Sequence, residues 1–238
     1  MEETIHFKSE NRAGRFTTKL HLIMHALLSV PKTIYVNIRC FPLRTAVKLP
    51  LLISYRTVLV ELHRDMIEFS NSPSRFMVKI GFGGSTGIMD RKSLLCLESG
   101  RIVFEGKASF GAGIVLRNGG QLTFGDGFWA NKNCTIWCSQ EISFGKNVLF
   151  GWNIVLRDSD GHLLLENDQP RPVEGPIQIG NHCWICSESH ILKNSGIGND
   201  CVLGYGSLLT KQYEGNNILY AGRPAKPIKR GINWIRGE

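Results

Sequence analysis

Aliphatic residues recur every six positions near the C-terminus: Ile179, Ile185, Ile191, Ile197, Leu203 and Leu209. Four residues after each of the first five stands a small side chain, Cys183, Ser189, Ser195, Cys201 or Ser207. A period of six matches neither an α-helix, with about 3.6 residues per turn, nor a lone strand, with a period of about two. It describes a short strand plus a tight corner, repeated three times per turn of a solenoid.

Upstream the same pattern runs with a longer period. Phe104, Phe124 and Phe144 are 20 residues apart, as are Phe110, Ala130 and Phe150, and Leu116, Ile136 and Leu156. Ile114, Cys134 and Ile154 repeat likewise, as do the outer Ile102, Leu122 and Ile142. Three coils of 20 therefore precede about two coils of 18. One coil cannot bury its apolar face alone, so stacked neighbours must supply the core. Between Leu156 and Ile177 the register breaks: Ile142 to Ile177 is 35 residues, 15 more than one coil. The excess, about residues 159–176, contains Asp160, Gly161, His162 and three prolines and reads as a loop thrust out of a regular body. Loops on rigid scaffolds are where function concentrates.

This divides the chain into an N-terminal helix and strand segment (1–75), an all-β solenoid (76–212) and a basic C-terminal extension (213–238) that packs back on it. In the first segment Arg15–Leu28 reads as an amphipathic helix ending before Pro31, Thr33–Arg39 alternates like a strand, and Leu51–Val60 supplies further strand. Ile80–Gly87 reads as the first, irregular coil.

The 238 residues are 42% hydrophobic and 20% charged, which fits a soluble globular protein. No apolar stretch reaches the roughly 20 residues of a membrane span, and no secretion signal is evident. Seven scattered cysteines, an odd number, point to free thiols in a reducing cytoplasm. A net charge of +8 points to anionic partners: cofactor phosphates, nucleic acid or a membrane surface.

The hexads, the loop histidine and the closing Thr210-Lys211 and Ala221-Gly-Arg-Pro-Ala-Lys226 resemble, in that order, the hexapeptide-repeat acyltransferases. The likeness covers roughly Ile102–Arg230 and is greatest to the maltose, galactoside and polysaccharide O-acetyltransferases. It implies a left-handed parallel β-helix, an exception to the usual right-handed crossover. It also implies a homotrimer with clefts between subunits, acetyl-CoA as co-substrate, and a sugar hydroxyl as acceptor in capsule or lipopolysaccharide assembly. Neither nucleic acid nor a metal is expected.

On this resemblance His162 is the catalytic base; histidine as a residue type suits proton transfer near neutral pH. Asp158 or Asp160 accepts from the other ring nitrogen, and the sequence does not choose between them. Asn131 matches an asparagine that binds the acceptor or the developing oxyanion. Trp184, Ser187, Tyr205, Gly206, Thr210 and Lys211 match the acetyl-CoA groove, and Lys226 and Lys229 match positions that meet its phosphates. Two departures stand out: Ser139 replaces an acidic residue of the sugar acetyltransferases, and Tyr205 replaces a small one.

Cys183-x-x-Cys186 beside His182 suggests zinc, but the hexad places the two cysteines at an inward and a corner position, so they point apart. The histidine spacing also fails to match the zinc-binding γ-class carbonic anhydrases of this solenoid. The glycine-rich Gly81–Gly87 lacks the lysine of a phosphate loop. Two further readings stand beside O-acetylation: N-acylation of a nucleotide-linked amino sugar, and a non-catalytic scaffold that binds a polyanion.

Overall fold

The 20-residue period becomes a pairing register. In the computed structural model, which describes residues 12–85, 88–89 and 91–237, Phe104 pairs with Phe124 and Phe124 with Phe144 in parallel strands. Leu116, Ile136, Leu156, Ile191 and Leu209 form a second inward column. Ile53, Ile80, Phe110, Ala130, Phe150, Ile185, Leu203 and Tyr220 form a third. The three columns belong to three parallel faces of one β-helix, which the chain visits in turn: the Phe110 face first, the Leu116 face second and the Phe104 face third. Rings stack along the axis: Phe104 on Phe124 at 5.3 Å and Phe124 on Phe144 at 5.2 Å, with nearly parallel planes in both cases. Every hexad residue from Ile179 to Leu209 is buried, and so are the small residues four positions on. Each such aliphatic side chain contributes about 1.5–3 kcal/mol.

The corners need backbone that ordinary residues avoid. Asn133, Asn153, His182, Glu188 and Asp200 all take left-handed φ values there, a region asparagine and aspartate tolerate best. Side chains also tie successive corners together: the Asn181 N–H donates to Asn199 Oδ1 (2.8 Å), and the Asn199 N–H to Asn216 Oδ1 (2.8 Å).

The solenoid starts earlier than residue 76. Strands Leu51–Ile53, Val58–Val60 and Ile67–Phe69 already form one coil, each paired to the corresponding face of the next. The preceding segment is a helix, α1 (Arg12–Cys40), and a short turn of helix, α2 (Leu43–Ala46). The helix continues through Pro31, and Thr33–Arg39 is its last part rather than a strand. Residues 1–11 of the expected N-terminal segment, and Thr86 and Gly87 of the glycine-rich stretch, lie outside the described residues.

The position of α1 follows from the open edge of the first coil. That edge would present unpaired N–H and C=O groups, a template for aggregation. Asn37 Nδ2 donates to the Leu51 carbonyl (2.8 Å) while its Oδ1 accepts from the Leu51 N–H (3.1 Å). Thr33 Oγ1 accepts from the Ile53 N–H (3.0 Å), and Ser29 Oγ from the Tyr55 N–H (3.0 Å). Four helical residues rise about 6 Å and two strand residues about 6.8 Å, so a polar residue every four positions keeps step with every second strand residue. The inward face of α1 is therefore polar, with Val36 and Cys40 joining the apolar core beside it.

At the other end, strand Ile218–Gly222 pairs parallel with Val202–Leu203 and antiparallel with Ala225–Arg230. Among the described residues, no helix is long and apolar enough to cross a membrane.

Candidate active site

A groove of about 410 Å³ lies where the first face turns into the second. Trp129, Asn131, Trp152, Trp184, Ser187 and Tyr205 line it. Its close packing is set by a glycine: a Cβ on Gly151 would stand 2.3 Å from Ser187 Oγ. That hydroxyl instead accepts from the Trp152 N–H (3.1 Å), and the Ser187 carbonyl accepts from the Gly206 N–H (3.0 Å). Trp184 is partly exposed and Tyr205 largely so. The groove is thus a largely apolar, aromatic slot.

Asn131 is buried at the head of this slot. Its Oδ1 accepts from the N–H groups of Ser85 (2.8 Å) and Lys132 (2.9 Å), and its Nδ2 donates to Ser85 Oγ (2.7 Å). A carboxamide has two donor hydrogens, and among the described residues only one of them is taken. Ser85 was not legible as a site residue, because the contact spans 46 positions from an irregular loop.

The C-terminal tail borders the same groove. Trp234 stacks on His182 at 4.4 Å, donates from Nε1 to the His182 carbonyl (2.8 Å), and lies 6.0 Å from the Trp184 ring. The Arg236 guanidinium sits 4.9 Å from the Trp129 ring, a cation–π contact. No spacing in the sequence ties these tail residues to the groove.

His162 lies elsewhere, on the loop that leaves after strand Val155–Arg157, where the second face turns into the third. It is exposed. The neck of the loop is held firmly: the Asp160 N–H donates to the Val173 carbonyl (2.9 Å), the Gly175 N–H to the Asp158 carbonyl (2.9 Å), and Lys193 Nζ to the Pro172 carbonyl (2.5 Å). The tip is a small hairpin, Leu165–Glu166 against Gln169–Pro170, with Leu163, Leu164 and Leu165 exposed beside the histidine.

Neither aspartate is a partner of His162. Asp158 is fully buried and accepts from the backbone N–H groups of Ser139 (2.7 Å), Gln140 (2.8 Å) and Glu141 (2.9 Å). It clamps the corner below the loop, a structural role. Asp160 pairs with Lys193 Nζ at 2.6 Å. Among the described residues, no hydrogen bond joins either carboxylate to the histidine.

The expected residues therefore divide between two edges of the solenoid. Asn131, Trp184, Ser187, Tyr205 and Gly206 stand at the first corner; His162, Thr210 and Lys211 stand at the second, after the strands of the second face. A three-residue strand separates the edges by about 10 Å. Lys226 and Lys229 are exposed on the last strand.

All seven cysteines are free thiols. Cys183 points inward, and its Sγ donates to the Gly198 carbonyl (3.0 Å); Cys186 lines the groove. Burial pushes the Cys186 thiol up to about 11 and the Cys183 thiol up to about 12. Among the described residues, no three His, Cys, Asp or Glu side chains are grouped to hold a metal ion.

Fold and groove together define a left-handed parallel β-helix of hexapeptide repeats carrying an aromatic corner slot. No family model matches the chain. It is similar to a galactoside O-acetyltransferase of Escherichia coli, 35% identical over 116 residues that cover 47% of this chain and 55% of that protein. It is also similar to an uncharacterised protein of the cps region of Klebsiella pneumoniae, 38% identical over 93 residues, covering 39% of this chain and 41% of that one. The chain spans about half the length of the curated relatives it matches. Among solved structures it shares its fold with the polySia-specific acetyltransferase NeuO, at a TM-score of 0.51 and 22% identity, over 77% of this chain and 80% of that one.

Proposed function

We propose that the protein is an acetyl-CoA-dependent O-acetyltransferase acting on a sugar hydroxyl in surface-polysaccharide assembly, with each site built between two copies of a homotrimer. The observation that carries this reading is the division of the groove and His162 between two corners of one chain. A neighbouring copy that docks its second corner against the first corner of this one brings the two halves together. The exposed leucines of the His162 loop suit such a contact. Likeness to a galactoside O-acetyltransferase supports the acceptor class, and likeness to a cps-region protein supports the polysaccharide context. Seven free thiols support a cytoplasmic setting.

In this reading the aromatic slot holds the pantetheine arm, and Lys226 and Lys229 meet the phosphates. His162 of the neighbouring copy takes the proton of the sugar hydroxyl as its oxygen attacks the thioester carbonyl. The second Nδ2–H of Asn131 and corner N–H groups stabilise the oxyanion of the tetrahedral intermediate. The C–S bond then breaks, and the CoA sulfur leaves with the proton returned by the histidine. No cysteine is acylated, because thiols held near 11 and 12 supply almost no thiolate at neutral pH.

Transfer from acetyl-CoA to a panel of hydroxyl and amino sugars tests the reading. His162→Ala should lower transfer by at least ~10²-fold while acetyl-CoA affinity is kept. Near-wild-type turnover would remove His162 from the mechanism, and transfer only to amino sugars would replace O- by N-acylation. If acetyl-CoA failed to bind while a polyanion bound with steep salt dependence, a scaffold role would take its place.

A further inference from the structure

The capping helix α1 is amphipathic in the opposite sense to a helix that packs by its apolar face. Its inward face carries Ser29, Thr33 and Asn37, because that face serves the open strand edge. Its outward face carries Ile23, Met24, Leu27, Ile34, Tyr35 and Ile38, each between 42% and 65% exposed. Leu43 and Val47 extend the apolar surface across α2 at 73% and 63% exposure. The whole amounts to several hundred Å², roughly the size that marks an interaction site on a soluble protein. Nothing in the fold requires these side chains to be apolar.

Charge identifies the occupant. Between Asn11 and Val60 the sequence has eight lysines and arginines and no aspartate or glutamate. Arg39, Arg44, Lys48 and Arg64 are exposed around the apolar surface, with the exposed Glu61 and Asp65 near Arg64 in the chain as the acidic minority. Two copies meeting through this face would bring like charges together. An anionic surface would complement it. Inter-strand hydrogen bonds of a β-helix run along its axis, and α1 caps those of the first coil. Its outward face is therefore directed away from the body along that axis, free to meet a plane. The helix is not long and apolar enough to cross a membrane, which leaves it lying along one.

We infer that α1 docks this protein on an anionic phospholipid bilayer, its apolar face set into the headgroup boundary and its arginines and lysines against the lipid phosphates. A broad apolar face beside a basic rim is the pattern of an interfacial helix. The inference does not depend on the acyl-transfer reading, and either can fail without the other.

The test is flotation of the full chain with vesicles of phosphatidylcholine alone and of phosphatidylcholine with phosphatidylglycerol. The protein should bind the anionic vesicles at least ~10-fold more tightly, with the preference reduced by added salt. Combined Leu27→Gln, Ile34→Gln and Ile38→Gln substitutions should lower that binding at least ~10-fold at unchanged thermal stability. Combined Arg39→Gln, Arg44→Gln and Arg64→Gln should lower it ~10- to 100-fold. Ile228→Gln, an exposed apolar residue on the last strand, should leave it unchanged. Equal binding by the Leu27, Ile34 and Ile38 variant would overturn the inference. So would absence of vesicle binding together with an oligomer that this variant disperses, which would make the face a contact between copies.

Discussion

Replacing Asp158 separates a structural from a catalytic role. Its carboxylate is buried and accepts three backbone N–H groups, from Ser139, Gln140 and Glu141. Asp158→Ala removes all three acceptors. A buried amide left without its partner costs about 1–3 kcal/mol. The Gln140 and Glu141 side chains are exposed, so water reaches one side of the corner and the low end applies, about 3 kcal/mol in all. In a domain of this size that lowers Tm by roughly 6–12 °C. Asp158→Asn keeps one oxygen for Gln140 and Glu141 but turns an amide N–H₂ toward the Ser139 N–H, so about half the loss should remain. Circular dichroism melts of both variants, read beside acetyl transfer per folded protein well below the transition, check this. Stability should fall in both, and transfer by folded Asp158→Asn should stay within about threefold. An Asp158→Asn protein with unchanged Tm and transfer lowered ~10²-fold would make the carboxylate part of the chemistry and refute the assignment.

Cys186 lines the groove, yet burial holds its thiol near 11. At neutral pH its thiolate fraction is on the order of 10⁻⁴. Cys186→Ser should therefore transfer acetyl groups within about threefold of wild type, and intact mass after a single turnover should show no acetylated enzyme. Asn37 makes two hydrogen bonds across the capped edge, to the Leu51 carbonyl and from the Leu51 N–H, and a third within α1 to the Thr33 carbonyl. Asn37→Ala should cost about 2–4 kcal/mol and speed hydrogen exchange at Leu51, whereas exchange at Ile136, deep in the stack, should change far less.

The repetitive part of the fold was open to reading because every inward position recurs at a constant interval, so Phe104 announces Phe124 and Phe144. The first coil hid because its intervals are irregular. Ile53 pairs with Ile80 and Ile80 with Phe110, at spacings of 27 and 30 residues rather than 20. Thr33–Arg39 misled for a different reason. Ile34, Val36 and Ile38 alternate as in a strand, but a helix here must turn Thr33 and Asn37 inward to satisfy backbone groups and leave Ile34 and Ile38 in solvent. Hydrophobic periodicity assumes that the apolar face is the buried one; α1 breaks that assumption. At the site, the register failure located the His162 loop, and the resemblance located the groove residues. Sequence position could not show that Asp158 faces a backbone corner, nor that Ser85 and Trp234 reach the groove from distant segments.

Catalysis in this reading requires a site completed by a second copy. His162→Ala and Asn131→Ala chains, each inactive alone, can be unfolded together in equal amounts and refolded as mixed assemblies. If His162 and the Asn131 groove meet across an interface between copies, about a quarter of the sites regain both wild-type halves, and acetyl transfer should return to about that fraction of wild type. Transfer that stays at the level of the separate variants, in mixtures shown by size-exclusion chromatography to have reassembled, would contradict the shared site.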